Sequence, residues 1–241
     1  MIDTHCHLLP GLDDGPRHAF DAVELARALV DAGVEHVVCT PHVSRRYRTP
    51  AVEAHRRIEA LRPLLTEADV DLTLDVAGEV GPGMLVTLDD DALRARAIAG
   101  RGLLVELEPD TPAPFLEVAT ARADALGLVA VFAHPERSRA LQRDPTVIAD
   151  ARAGGALAQV VASSVAGAWG ESVRRTAWEM LHAGDVDLLA SDAHRVRDAV
   201  ALRGVVDAVR DRLGREVCTR LVSTTPAALV RAGNGLSRIR R

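Results

Sequence analysis

Three observations predict an α/β fold built on a mostly parallel sheet. Short apolar runs alternate with longer amphipathic segments, the runs have strand length, and the alternation repeats along nearly all 241 residues. The apolar runs cover residues 1–4, 36–40, 72–77, 103–107, 129–133, 157–161 and 187–190, seven candidate strands. No composition shift or linker divides the chain, so a single domain over 1–241 is expected. Seven strands can close into a barrel or stay open, and periodicity alone does not decide between them.

The segments between the runs read as helices. Residues 18–32 put Ala22, Leu25, Ala26, Leu29 and Val30 on one face. Thr49-Pro50-Ala51-Val52-Glu53 has the form of a helix start: a Thr cap, Pro at the first position and Glu closing a capping box. Asp144-Pro145 and Thr225-Pro226 repeat the cap-then-proline signal. Segments 114–126, 171–183 and 198–213 are also helical in pattern and stop at Gly127, Gly184 and Gly214.

Composition narrows the function classes. Hydrophobic residues make up 48% of the chain and aromatics only 2%, so the core is built from Ala, Val and Leu, and base-stacking surfaces are scarce. With a net charge of −5 and only a short Arg-rich C-terminus as a basic block, a nucleic-acid face is not expected. All 29 basic residues are Arg, which excludes a Schiff-base or P-loop lysine. Cys6, Cys39 and Cys218 are an odd set without Cys-x-x-Cys, which suits a reducing compartment. No leader pattern or membrane-length apolar run is present, so a cytoplasmic protein with no membrane insertion is expected. The oligomeric state is not legible.

In parallel α/β folds, ligands bind outside the carboxyl ends of the strands. The first run ends in His5-x-His7 and then Asp13-Asp14; on a strand, residues two apart point the same way. The later runs lead into Thr40-Pro41-His42, Gly78-Glu79, Glu106-Leu107-Glu108, His134-Pro135-Glu136-Arg137, Ala162-Ser163-Ser164 and Ser191-Asp192-Ala193-His194. Six of the seven runs thus end in His, Asp or Glu. Singly, each is ordinary as a solvated strand end or as helix N-terminal charge. Together they need only one shared sheet face to form a metal site. His and carboxylate donors without a thiolate cluster suit Mn²⁺, Fe or Zn²⁺ in a hydrolytic centre, and their number suits two or three ions. Such a cluster binds a phosphoryl oxygen, lowers the pKa of a bridging water and stabilises the leaving oxygen. Arg45, Arg46, Arg137, Arg195 and Arg197 lie close enough in sequence to clamp phosphate.

His5-x-His7, Asp14, Thr40-Pro41-His42, Glu79, Glu106, His134 and Asp192-x-His194 together resemble the ligand pattern of the PHP (polymerase and histidinol phosphatase) superfamily. The stretches 2–16, 133–137 and 190–194 further resemble bacterial capsule-locus tyrosine phosphatases of the CpsB/YwqE type, and the similarity runs from residue 1 to about 230. The resemblance implies a distorted (β/α)7, TIM-like barrel, a usually manganese-dependent trinuclear site, and hydrolysis of phosphotyrosine by a metal-bridging hydroxide. The expected substrate is the tail of a tyrosine kinase of capsule or exopolysaccharide synthesis. By position, His5, His7, Asp14, His42, Glu79, Glu106, His134, Asp192 and His194 become metal ligands, with Glu106 bridging. Arg137 becomes the phosphate arginine, and Asp192, His194 and Arg197 join it in the catalytic set. Two departures touch substrate recognition. Arg195-Val196-Arg197-Asp198 stands where relatives carry Gly-Arg-Pro, and Ala162-Ser163-Ser164 lacks an Asn found in some relatives.

Rival readings are another PHP phosphoesterase such as a histidinol phosphatase acting on a small phosphomonoester, or a non-catalytic metal-binding module. A further rival is a cysteine-dependent phosphatase. Cys39-Thr40-Pro41-His42-Val43-Ser44-Arg45 satisfies Cys-x5-Arg, but Pro41 removes a phosphate-cradling N–H and no Gly eases the turn.

Overall fold

The computed structural model describes residues 1–231, and the Arg-rich C-terminus lies outside them. Its strands are β1 (Ile2–Cys6), β2 (His36–Cys39), β3 (His42–Val43), β4 (Thr73–Val76), β5 (Glu79–Val80), β6 (Gly102–Glu106), β7 (Val129–Ala133), β8 (Leu157–Val161) and β9 (Leu188–Ala190). Every ladder among them is parallel. One sheet has the order β1-β2-β4 and the other β3-β5-β6-β7-β8-β9. The chain is therefore an α/β protein with parallel sheets, and helices fill the connections.

The expected second and third runs each continue past a break into a two-residue strand. Pro41 offers no N–H to a ladder and separates β2 from β3. Gly78 separates β4 from β5, and a Cβ there would come within 2.9 Å of the Val43 side chain. Beyond each break the chain delivers a candidate ligand, His42 or Glu79, and these two are register partners. The first and last strands are also joined. Asp192 N donates to His5 O at 2.9 Å, His7 N donates to Ala193 O at 3.0 Å, and Cys6 bridges Ala193 in parallel.

Period-two alternation sorts the strand side chains. Leu103, Val105, Phe132 and Val160 join the large core beneath the helices, together with Leu25 and Leu29 of the helix Ala19–Asp31. Leu104, Val131, Leu157 and Leu188 point to the other face, where Leu229 of the helix Thr225–Val230 packs. β1 follows the same rule. His5 and His7 face the second side, while Cys6 between them is buried in the helix-side core.

The helices at Glu171–Ala183 and Pro114–Ala125 match their expected segments, and Gly184 takes the left-handed C-terminal position at φ +79°. Three starts differ. The helix Ala51–Glu67 is entered through Pro50, because Thr49 Oγ1 donates to Leu12 O and Glu53 pairs with Arg57 instead of closing a box. The helix Thr146–Ala153 begins just past Asp144-Pro145, with Asp144 Oδ1 accepting from the Thr146 N–H. Thr225-Pro226 opens no separate helix after a loop; it follows directly on a π-helical turn, Arg220–Thr224.

Asp187, ahead of β9, accepts from Arg152 Nε and Nη2 at 2.8 and 2.9 Å and from Ala158 N at 2.9 Å. It ties the helix Thr146–Ala153 to β8. Asp187→Ala leaves a part-buried guanidinium and a strand N–H short of a partner. The expected loss is about 2 kcal/mol of unfolding free energy, read as a lower urea midpoint.

Candidate metal centre

The second face of β1 presents His5 and His7, both fully buried. His5 Nδ1 lies 2.8 Å from Gln159 Oε1, and His7 Nδ1 lies 2.7 Å from Asp13 Oδ2. Gln159 is oriented by its own amide, which donates to Thr4 Oγ1 at 2.9 Å. Both partners are oxygen acceptors, so each neutral ring carries its proton on Nδ1 and turns a bare lone pair at Nε2 toward the other. The two Nε2 atoms are 3.2 Å apart. Two lone pairs at that distance repel unless a proton or a metal cation lies between them.

Carboxylates close the same space. Asp192 Oδ1 is 3.3 Å from His5 Nε2 and 3.4 Å from His7 Nε2. Glu79 is completely buried, and its Oε2 lies 3.5, 3.3 and 2.9 Å from His5 Nε2, His7 Nε2 and His42 Nδ1. Its Oε1 meets His134 Nε2 at 2.9 Å. Yet Glu79 Oε2 and His42 Nδ1 lack hydrogen-bond geometry to any partner despite their closeness, and His134 Nδ1 is also buried without one. Farther out, Asp14 Oδ1 is 3.4 Å from His194 Nε2 and 3.5 Å from His42 Nε2. Three overlapping donor groups result: His5, His7 and Asp192; His42, Glu79 and Glu106; and His7, Asp14, His42 and His194. Bonds of about 2.0–2.2 Å from one ion to His and carboxylate donors place neighbouring donors roughly 3.0–3.5 Å apart. The converging lone pairs, the orphaned buried atoms and the spacing all fit divalent cations.

The electrostatics point the same way. Burial opposes charge on His7, but Asp13, Asp192 and Glu79 overcome it and hold the imidazolium well above its usual range. His5 is raised likewise, against burial, by Glu79 and Asp192. Glu79 and Asp192 are held well below the carboxylate range despite burial, with the His5 charge the chief opposing cause in each. Protons on the imidazoles do here what a divalent ion would do more completely. Glu106, at the rim, is pushed up to about 7 by burial and by the Glu79 charge. The hydrogen bond from His194 holds Asp14 low.

Backbone geometry is committed to the site as well. His134 and Asp192 sit in left-handed conformations at φ 37° and 52°, uncommon for residues with a Cβ. Asp3 accepts from Ser191 N at 3.0 Å and from His5 N at 3.3 Å, locking two ligand-bearing strand ends together. Asp198 accepts from the N–H groups of His194 and Arg195 at 3.1 and 3.0 Å, which fixes the loop that follows Asp192.

Of the residues expected as ligands, eight fall in the three donor groups; His134 falls outside them and reaches the site through Glu79. Glu79 occupies the central position foreseen for Glu106, whose Oε2 comes only within 3.9 Å of His42 Nδ1. Arg137 Nη2 pairs with Asp192 Oδ2 at 2.8 Å. Arg197 stands 75% exposed on the wall of the adjoining cleft. Arg195 starts the helix Val196–Leu213, and Arg46 lies over the Tyr47 ring. Sequence reading placed Asp13 beside Asp14 at the first strand end without giving it a role, and passed over Gln159 and Trp169. The Gln in an otherwise apolar Leu-Ala-Gln-Val-Val strand was the available signal, because a buried amide demands partners.

Gly15 packs against this centre so closely that an added Cβ would overlap His7 O. Gly15→Ala is expected to push the His7 backbone aside and lower metal affinity by about 10- to 100-fold. A metal titration followed by calorimetry checks this, and unaltered affinity would count against the tight fit of the loop.

Residues 1–231 match the family model for capsular polysaccharide synthesis, CpsB/CapC. The chain is 28% identical over 208 residues to the tyrosine-protein phosphatase YwqE of Bacillus subtilis (strain 168), covering 82% of this chain and 78% of the relative. It is 27% identical over 150 residues to the tyrosine-protein phosphatase CpsB of Streptococcus pneumoniae, covering 60% of each. Its fold superposes with a TM-score of 0.87, at 24% identity, on a crystal structure from work on YwqE and CpsB as metal-dependent tyrosine phosphatases. That superposition covers 97% of this chain and 96% of the other. With a family model spanning all but the last ten residues and candidate donors gathered from nearly every strand end, the chain belongs to the CpsB/CapC family of capsular polysaccharide synthesis.

Proposed function

We propose that this chain is a metal-dependent phosphomonoesterase that hydrolyses phosphotyrosine, as the names of its relatives state for them. The observation that carries the proposal is the pair of converging imidazole Nε2 atoms 3.2 Å apart, ringed by Glu79 and Asp192, with a guanidinium fixed beside them. His5, His7, Asp14, His42, Glu79, Glu106, His134, Asp192 and His194 would hold two or three ions, Mn²⁺ being the first to test. Bound metal supplies positive charge to phosphoryl oxygens and acidity to water.

The chain's own groups supply the rest. Arg137 donates Nε to Ser164 Oγ at 3.2 Å and Nη2 to Ser163 Oγ at 3.1 Å, besides its bond to Asp192. Among the described residues its Nη1 has no protein partner, so this edge can bind a phosphate oxygen as charge builds. Asp13 and Gln159 keep the two imidazoles in one tautomer and one orientation through the reaction. Arg197, at the cleft wall, would meet the substrate's peptide or its phosphate.

The physiological substrate in this reading is the phosphotyrosyl tail of a tyrosine kinase of capsule or exopolysaccharide synthesis, met in the cytoplasm. No helix among the described residues is long and apolar enough to cross a membrane. The strand pairing, with β2–β3 and β4–β5 taken as two broken strands and β9 bonded to β1, supports a distorted seven-stranded (β/α)7 barrel in one domain.

Cys39 offers no rival nucleophile. It is buried at the end of β2, and burial pushes its thiol far above the range in which a thiolate forms. The test is hydrolysis of an aryl phosphate by purified protein. Activity is expected to vanish on exhaustive chelation, return with Mn²⁺ and ignore thiol alkylation. Loss to alkylation with indifference to chelation would reverse the mechanism. Turnover of histidinol phosphate in preference to phosphotyrosine would move the chain to the runner-up substrate.

A further inference from the structure

A turn over residues 166–170, between the helices Ala162–Val165 and Glu171–Ala183, contains Gly167 and Gly170 at φ +91° and +94°. It carries Trp169 to a cleft of about 670 Å³ that Asp14, Asp192 and His194 also line. Trp169 is 57% exposed in a chain with only two tryptophans. A large apolar ring left to water at a site edge needs a reason, because burying it would be favourable.

The ring is not loosely held. Its Nε1 donates to Ser163 Oγ at 3.2 Å, and the Arg137 guanidinium carbon sits 4.0 Å from the ring centroid. Ser163 Oγ also accepts from Arg137 Nη2 at 3.1 Å, so indole and guanidinium share one anchor. Ser164 and Asp192 fix the rest of the Arg137 plane. A phosphate-binding cation and an aromatic surface are thus clamped together at the edge of the metal cluster. That pairing suits an ester in which one oxygen joins the phosphate to an aromatic ring; an alkyl ester presents nothing for the indole to pack against.

We infer that Trp169 selects aryl over alkyl phosphate monoesters at this site. The inference deepens, and rests on, the phosphotyrosine reading above. A purely supporting role, in which Trp169 only props Arg137, would weaken every phosphate ligand alike.

The experiment is calorimetric titration of the full-length Mn²⁺-loaded protein with phenylphosphonate and methylphosphonate, two ligands that share the head group and are not hydrolysed. The wild type is expected to bind the phenyl compound about tenfold more tightly. Trp169→Ala is expected to erase that preference while methylphosphonate binding stays within about threefold, and Trp169→Phe to keep most of it. A preference that survives in Trp169→Ala, a wild type with no preference, or an equal loss for both ligands would overturn the inference. Rates on phosphotyrosyl and phosphoseryl peptides separate this result from the functional reading. A protein that hydrolyses neither peptide yet shows the Trp169-dependent preference would remove the phosphatase proposal and leave this one standing.

Discussion

Glu79→Gln is expected to reduce aryl phosphate turnover by on the order of 10³-fold or more and to lower the bound metal content, with the circular dichroism spectrum unchanged. The substitution keeps the shape and removes the charge. One oxygen of Glu79 approaches three imidazoles and the other a fourth, and among the described residues no other carboxylate meets as many rings. A glutamine offers one carbonyl oxygen and an amide that repels a cation. Metal analysis alongside kinetics separates loss of ions from loss of chemistry. Near-normal turnover with near-normal metal content would refute the assignment of Glu79 as the central ligand.

Arg137→Ala is expected to lower kcat by about 10²- to 10³-fold while the metal content stays at the wild-type level. Arg137→Lys should recover little of it. The guanidinium uses its Nε, its Nη2 and its flat face at once, on Ser164, on Ser163 and Asp192, and on Trp169. An ammonium can reproduce one of those contacts but not the planar fork. Asp192 ties this arginine to the histidine cluster, since its Oδ1 faces the imidazoles and its Oδ2 faces the guanidinium. Steady-state kinetics with metal analysis reads the effect. An unchanged kcat would leave phosphate binding to the exposed Arg197.

The convergence of the candidate side chains was legible because parallel strands deliver their carboxyl ends to one side and His-x-His on a strand presents both rings together. Depth was not. Glu79 is in register with Leu104, and Glu106, two residues further along β6, is in register with Ala133. At about 3.3 Å per residue, Glu106 stands a full pleat repeat closer to the mouth, which no sequence pattern reveals. The neighbouring aspartates were equally ambiguous. Asp13 turns inward to His7 and to the N–H groups of Gly15 and His42, while Asp14 turns outward to His194. Gln159 and Trp169 reach the site only through long-range packing. The breaks at Pro41 and Gly78, by contrast, were visible as residues but not as the device that re-aims His42 and Glu79.

The placement of Cys6 keeps a soft donor out of the candidate centre. It lies between the two ligand histidines, yet strand alternation turns its sulfur into the helix-side core, 3.5 Å from Ala193 O. A one-residue slip of β1 would exchange imidazoles for thiol at the cluster. Thiolate is the donor through which copper(I) and zinc displace weaker-binding competitors in the divalent series. With nitrogen and oxygen donors alone, the candidate centre keeps the donor set of a hydrolytic site rather than that of a thiolate cluster. The pleat of one strand therefore holds the thiol away from the candidate metal-binding face.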